Sequence, residues 1–347
     1  MITRNPSRAA EAAAAGTPSV TMEGDGEEEL RACLATMLAT PYCCRSRRRN
    51  RAGARQFEPS SAKAAPDQVI DGLLAQVSEQ RLRGSVQALE AFQTRYALAP
   101  NVTAVTDHVA ASFRGAGYTG TGEVQFQGFP FPGSVLPQRN ILCSAAPGQA
   151  PAILVCAHYD TTSESPLVSA PGADDNATGI AVLLETARLL RGVPLQKPIL
   201  FAAFGGEEDG LFGSTECARI AHDAHWPLKL VVNMDMIGWQ DGNAPGRIDI
   251  EYDMGNTTPV NDAPAKAAAF RMAQAAADYT TLIPFHSDID RSDYMPFEAR
   301  KVPCIGIYEG EENPHYHTSG DVSSHLRMDH LARIVQMLIA FLVREAR

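Results

Sequence analysis

The sequence predicts an α/β fold in three layers, a mostly parallel sheet with helices on both of its faces. Three observations carry that expectation. Short apolar runs alternate with segments whose apolar residues recur at helical spacing, and repeated strand-helix alternation brings successive strands back parallel to one another. Residues 152–157 (AILVCA) are apolar at every position, as a strand buried on both faces must be. With 347 residues, 45% of them hydrophobic, the chain is long enough to cover such a sheet on both sides.

Residues 1–66 stand apart from the rest. They carry alanine runs, the acidic block EGDGEEE at 23–29 and the basic block RSRRRNR at 45–51. Blocks of like charge stay solvated rather than pack, so this segment is expected to be disordered and 67–347 to form the folded, catalytic domain. Val77, Leu82, Val86, Leu89 and Phe92 share one helical stripe, and Val102, Val105, Val109 and Phe113 another. Two amphipathic helices therefore open the domain, the second ended by Gly115 and Gly117. Residues 123–127 and 139–143 read as strands around a proline-rich connection, followed by the strand at 152–157. Then come a helix over 177–190, a strand over 199–204, a helix over 211–221 and a strand over 228–236. An alanine-rich helix over 263–277, a strand over 302–308 and a helix over 328–343 close the domain.

Charge and composition remove several function classes. A net charge of -10 argues against a nucleic-acid binder, which needs a basic face, and suits a cation site. No run of eighteen apolar residues appears, so no membrane span is expected. The seven cysteines include no C-x-x-C pair. Cys143, Cys156 and Cys304 lie in apolar strand-like runs and read as small buried hydrophobes.

Five clusters carry chemistry. In CAHYDTT (156–162), His158 ends the apolar strand, where open α/β sheets place their ligands. Asp160 falls on the same side of the extended chain, so its carboxylate can accept the second ring N–H and make the imidazole a better metal ligand. In PGADDNATG (171–179) a loop turns into a helix, and of Asp174 and Asp175 one caps or orients while the other binds metal. In FGGEEDGLFGS (204–214), Glu207 and Glu208 follow a buried strand. Adjacent carboxylates raise one another's pKa; a cation beside them removes that penalty, with one acid on the metal and its neighbour on the attacking water as general base. In VVNMDMIGW (231–239), Asp235 stands alone in an apolar strand, where an unpaired carboxylate loses several kcal/mol of solvation. In NPHYHTSGD (313–321), His315 and His317 are alternatives for a late ligand. Imidazole and carboxylate donors together suit zinc, and three ligands per ion with one shared carboxylate make a two-metal site, at a usual separation of roughly 3.5–4 Å.

The order HYD, GADDNATG, GGEEDGLFGS, NMDM and HTSGD resembles the co-catalytic zinc aminopeptidase family, the type that includes bacterial leucyl aminopeptidases, glutamate carboxypeptidase and, more distantly, glutaminyl cyclases. The likeness runs from about Val77 to the C-terminus. It implies that His158 and Asp235 hold one zinc, that Glu208 and His317 hold the other, and that Asp175 bridges them. It further implies that Asp160 orients His158 and that Glu207 is the general base. His317 is preferred over His315 because Thr318 and Asp321 follow it in the family's manner. The implied fold is a globule around a central mixed sheet of about eight strands. The implied activity is removal of N-terminal residues from peptides by a hydroxide held between two zinc ions, with a carboxypeptidase, a glutaminyl cyclase or a non-catalytic binding relative as alternatives. Ser292 and Asp293 match a family SD-x-x-PF segment near the substrate, and His286 and Asp288 are expected to line a loop. Some relatives place an oxyanion-binding tyrosine just before the proline that opens the late strand; Val302 stands there, leaving Tyr294, Tyr308 and Tyr316 as candidates. Relatives of this type are commonly exported, implying a secreted or periplasmic protein; residues 1–66 show no signal peptide, which keeps a cytoplasmic location open.

Overall fold

A computed structural model describes residues 55–60, 65–134, 137–144, 150–255 and 258–347, all within one unit spanning Ser46–Arg347. Of the segment expected to be disordered, residues 1–54 and 61–64 lie outside the described residues, as do Cys33, Cys43 and Cys44.

Among the described residues three helices precede the central strands, and the starts of the first two follow from capping chemistry. Helix α1 (Gln68–Leu74) is capped by Asp67, whose carboxylate accepts from the Val69 and Ile70 amides. Helix α2 (Glu79–Glu90) is capped by Ser78 and buries Leu82, Val86 and Leu89, while α3 (Val102–Gly115) buries Val105, Val109 and Phe113. These are the two stripes expected from the sequence, with Val77 and Phe92 packed just outside α2.

Among the described residues nine strands, the first of them upstream of these helices, form one mixed sheet: β1 (Arg55–Gln56), β2 (Val124–Phe129), β3 (Gln138–Cys143), β4 (Ala152–His158), β5 (Ile199–Phe204), β6 (Leu228–Met234), β7 (Arg247–Tyr252), β8 (Ile283–Asp288) and β9 (Cys304–Glu309). Their order is β1-β8-β7-β9-β6-β4-β5-β3-β2. The centre, β9-β6-β4-β5, is parallel. The flanks join it antiparallel through β3 on one side and β7 on the other, and β7 and β8 are parallel to each other. The carboxyl ends of four neighbouring strands therefore open on the same edge of the sheet, which is where the candidate site lies.

Strands β1, β7 and β8 go beyond the six expected from the sequence. In β7 the residues alternate, with Ile248, Ile250 and Tyr252 in the core and Asp249 and Glu251 between them. Both acids are buried and partnered, Asp249 by Arg247 at 3.1 Å and Glu251 by the Tyr294 hydroxyl at 2.6 Å. Strand β1, upstream of Asp67, pairs with β8 and leads into buried Phe57, whose ring meets Phe270 edge-on at 4.9 Å. His286, expected in a loop, sits on β8 with its ring stacked on Tyr252.

The remaining helices are α4 (Gly179–Leu190), α5 (Phe212–Asp223), α6 (Pro259–Tyr279), the one-turn α7 (Met295–Glu298) and α8 (Met328–Ala346). Period-two alternation along β4 divides the interior into two cores. Ile153, Val155 and Ala157 face a large core built with α2, α3, α4, α6 and α8. Ala152, Leu154 and Cys156 face a smaller one closed by Cys217 and Ala218 of α5 and Phe297 of α7. The three-layer arrangement follows from that alternation. Cys143, Cys156, Cys217 and Cys304 are buried free thiols. No helix among the described residues is long and apolar enough to cross a membrane.

Candidate metal centre

Each of the four central parallel strands delivers a candidate donor at or beyond its carboxyl end. His158 is the last residue of β4, Glu207 and Glu208 follow β5, Asp235 follows β6, and the loop after β9 carries His317. Asp175 enters from a wide turn over Ala173–Thr178 that leads into α4, with a cis peptide bond between Asp175 and Asn176.

These side chains converge. His158 Nε2 lies 3.2 Å from Asp235 Oδ1 and 3.3 Å from Asp175 Oδ1. His317 Nε2 lies 3.2 Å from Asp175 Oδ2 and 2.8 Å from Glu208 Oε2. Asp175 thus turns one oxygen to each histidine, and the donors form two overlapping groups, His158/Asp175/Asp235 and Asp175/Glu208/His317, within which every donor atom lies within 4.8 Å of the others.

The geometry tests whether zinc fits. Bonds of about 2.0–2.1 Å in a tetrahedron put ligand atoms about 3.3 Å apart, whereas charge-assisted N–H···O bonds sit at about 2.7–2.9 Å. Three of the four contacts, at 3.2, 3.3 and 3.2 Å, match the ligand spacing. Glu208 Oε1 is buried with no hydrogen-bond partner. Three protein donors per group leave a fourth position free, the pattern of catalytic rather than structural zinc.

Protonation equilibria show the same crowding. Burial opposes charge on His317, yet Glu208 and Asp175 hold its pKa up at about 11. Burial, then the Asp175 charge, pushes Glu208 up to about 7. Burial likewise raises Glu207 well above the usual carboxylate range, with Asp235, Glu208 and Asp293 adding to the rise. Acids and imidazoles that compete for protons at such short range are reconciled by a divalent cation.

Supporting contacts orient the donors. His158 Nδ1 is 3.2 Å from the Asp160 backbone carbonyl and 3.7 Å from the Asp160 carboxylate. That carboxylate accepts the amides of Glu207 at 3.2 Å and Glu208 at 3.3 Å, tying β4 to the glutamate turn. Asp235 Oδ2 accepts hydrogen bonds from Ser292 Oγ, at 2.7 Å, and from the Tyr308 hydroxyl, leaving Oδ1 for His158. The carboxylate of Asp174 accepts Gly238 N and Asn313 Nδ2, outside both donor groups. His315 lies outside them too, its ring stacked on His325 at 4.2 Å. Among the tyrosines, Tyr294 is held by Glu251 in the core, whereas Tyr316 stacks on His317 at 3.7 Å.

Two further buried groups lie near the donors, and they differed in how visible they were in the sequence. Asp293, fully buried with its pKa raised by burial to about 7, was visible only as part of a motif. Arg95, fully buried beside the Asp175 turn, looked like any loop arginine.

Residues 140–342 match peptidase family M28. Two relatives are a probable zinc metalloprotease of Pyrenophora teres, 26% identical over 333 residues (80% of this chain, 68% of that protein), and a probable leucine aminopeptidase of Arthroderma otae, 25% identical over 304 residues (82% and 76%). The fold is shared with the LapA aminopeptidase of Legionella pneumophila (TM-score 0.69, 20% identity, 84% of this chain and 78% of that one). It is shared also with the glutaminyl cyclase of Porphyromonas gingivalis (TM-score 0.63, 24% identity, 78% and 99%). With more than half of its length matched and a zinc-compatible donor set at the strand ends, the chain belongs to peptidase family M28 and is a metallopeptidase.

Proposed function

We propose that the protein is an aminopeptidase that holds two zinc ions and uses Glu207 as its general base. The observation that carries this reading is Asp175, one carboxylate with an oxygen toward each of two histidines, shared by two donor groups. His158 and Asp235 would complete one ion's ligands, Glu208 and His317 the other's. Bound zinc would polarise the scissile carbonyl and acidify the attacking water. The rest falls to the protein. Glu207, next in the chain to a proposed ligand, accepts no hydrogen bond from any described residue, so its carboxylate is free to take the proton of the attacking water and return it to the leaving amine. Asp160 holds the amides of both glutamates, which keeps the base and the ligand on separate headings. Tyr316, packed on His317, supplies a hydroxyl at the rim in place of the tyrosine that Val302 replaces.

The resemblance to a leucine aminopeptidase supports action at the N-terminus. A glutaminyl cyclase is the second reading, supported by the shared fold with the Porphyromonas enzyme. A panel of aminoacyl-coumarin substrates, N-terminally blocked peptides and peptides beginning with glutamine separates the two. Release of free amino acid from unblocked peptides, abolished by chelation and restored by zinc, is the expected result; ammonia release with cyclised product, or cleavage of blocked peptides, would reject aminopeptidase action.

A further inference from the structure

We propose that Arg95 is a positioning residue that sets the spacing between the His158 strand end and the Asp175 turn, acting in concert with Asp321. The proposal rests on the metal-centre reading above and goes beyond it, since Arg95 touches none of the five donors.

Arg95 lies in the connection between α2 and α3 and is 0% exposed. Its guanidinium donates to three backbone carbonyls: Nε to Tyr159 at 2.8 Å, Nη1 to Pro171 at 2.6 Å and Nη2 to Gly172 at 2.8 Å. One planar fork therefore joins the residue after His158 to the approach to Asp175. Its amide adds a further tie, donating to Thr161 Oγ1, which in turn donates to the Ala170 carbonyl. No carboxylate pairs with Arg95 within 4.0 Å among the described residues. Burial lowers its pKa only to about 10, with Asp321, Asp175, Asp160 and Glu208 pulling it back up, so the group is charged at neutral pH.

Of the acids that act on Arg95, Asp321 has the largest effect, and it holds the other end of the turn. Asp321 accepts the Asp174 amide at 3.0 and 3.1 Å and the Asp175 amide at 3.0 Å. The turn at 171–175 is thus strung between the Arg95 guanidinium on its carbonyls and the Asp321 carboxyl on its amides. Hydrogen bonds with one ionised partner are about twice as strong as neutral ones. The turn has no slack to absorb a change: a Cβ on Gly172 would lie 2.2 Å from Thr161 Cγ2 and 2.3 Å from the Asp175 carbonyl. The 3.3 Å separation of His158 Nε2 and Asp175 Oδ1, an edge of one donor group, is what this arrangement holds. A lysine would keep the charge but could not span three carbonyls in one plane.

The test compares Arg95→Lys, Arg95→Met, Asp321→Asn and the Arg95→Met/Asp321→Asn pair. Zinc affinity is measured on metal-stripped protein by competition with a chelating dye, melting temperature with and without zinc, and kcat and KM separately. Arg95→Lys should weaken zinc binding by roughly 10- to 100-fold, the usual effect of removing an outer partner of a metal site, and lower kcat while KM holds. Arg95→Met should weaken it at least as much. Asp321→Asn in that background should recover part of the loss, because it replaces a buried acid that has lost the cation across the turn with a neutral side chain of the same shape. A purely structural role would lower the melting temperature equally with and without zinc and leave affinity unchanged in the folded fraction. That result in Arg95→Lys, the milder change and the one most compatible with folding, overturns the proposal. Failure of the wild-type protein to bind zinc would instead overturn the metal-centre reading itself, so the two failures are distinguishable.

Discussion

Replacing Glu207 by glutamine isolates the proton-transfer step from metal binding. The side chain belongs to neither donor group, and its backbone amide, not its carboxylate, is what Asp160 holds. Glutamine has the same shape, so the turn and the Glu208 ligand stay where they are. What disappears is the basic oxygen. General-base catalysis contributes about 10²- to 10⁴-fold, or about 3–5 kcal/mol in the barrier, and kcat should fall by that factor with KM nearly constant. Zinc content should be unchanged. The neighbouring acids Asp235, Glu208 and Asp293 all push the Glu207 carboxyl upward, so neutralising it relieves repulsion. Metal-free Glu207→Gln should therefore melt no lower than metal-free wild type. Zinc analysis by mass spectrometry, steady-state kinetics and calorimetry on the same preparation decide the matter. Full activity would refute the base assignment; loss of zinc would show that the side chain is a ligand instead.

Three further outcomes follow from the geometry. Asp175→Ala should remove both ions, whereas Asp235→Ala and His317→Ala should each leave the other group able to bind, a contrast read directly as zinc per chain after gel filtration. Gly179→Ala should destabilise the fold by about 1–3 kcal/mol, since its Cβ would lie 2.4 Å from Asn176 Oδ1 and 2.8 Å from the Met234 carbonyl, as denaturant titration would report. His330 is buried and neutral, its pKa lowered by burial to about 4 from 6.5. The unfolded chain binds a proton there first, so its stability is complete above about pH 6.5 and is lost as pH falls toward 4, by about 2 kcal/mol at pH 5. Metal-stripped His330→Gln should lack that slope relative to wild type; parallel curves would exclude the assignment.

Much of the fold and of the site was legible because the physics is local. Residues 152–157, apolar at every position, read as a strand buried on both faces, and His158 is the last residue of that strand. Asp235 was conspicuous as a lone charge in an apolar run, and its environment explains the tolerance: Ser292 and Tyr308 satisfy one oxygen while His158 meets the other. The choice of His317 over His315 needed the resemblance, since nothing in NPHYHTSGD separates two histidines two residues apart. Strand β7 was missed although Ile248, Ile250 and Tyr252 alternate, because Asp249 and Glu251 suggest a solvated face; their partners come from Arg247 and from Tyr294, forty-three residues from Glu251. Strand β8 carries a proline, a histidine and an aspartate, and its apolar residues Ile283 and Phe285 are too few to mark a strand. The role of Arg95 was out of reach for the same reason: its partners are backbone carbonyls, which every residue possesses.

The parallel centre of the sheet has a consequence for the order in which the site assembles. His158 and His317 are separated by 159 residues, and β9, which precedes His317, is laid beside β6 only after the intervening helices have returned the chain to the same edge. A polypeptide ending before this last strand carries four of the five proposed donors but lacks His317, so the His158/Asp175/Asp235 group is present and the Asp175/Glu208/His317 group is not. The group that shares Asp175 with His317 therefore closes only after β9 is in place, which makes it the later of the two to assemble along the chain.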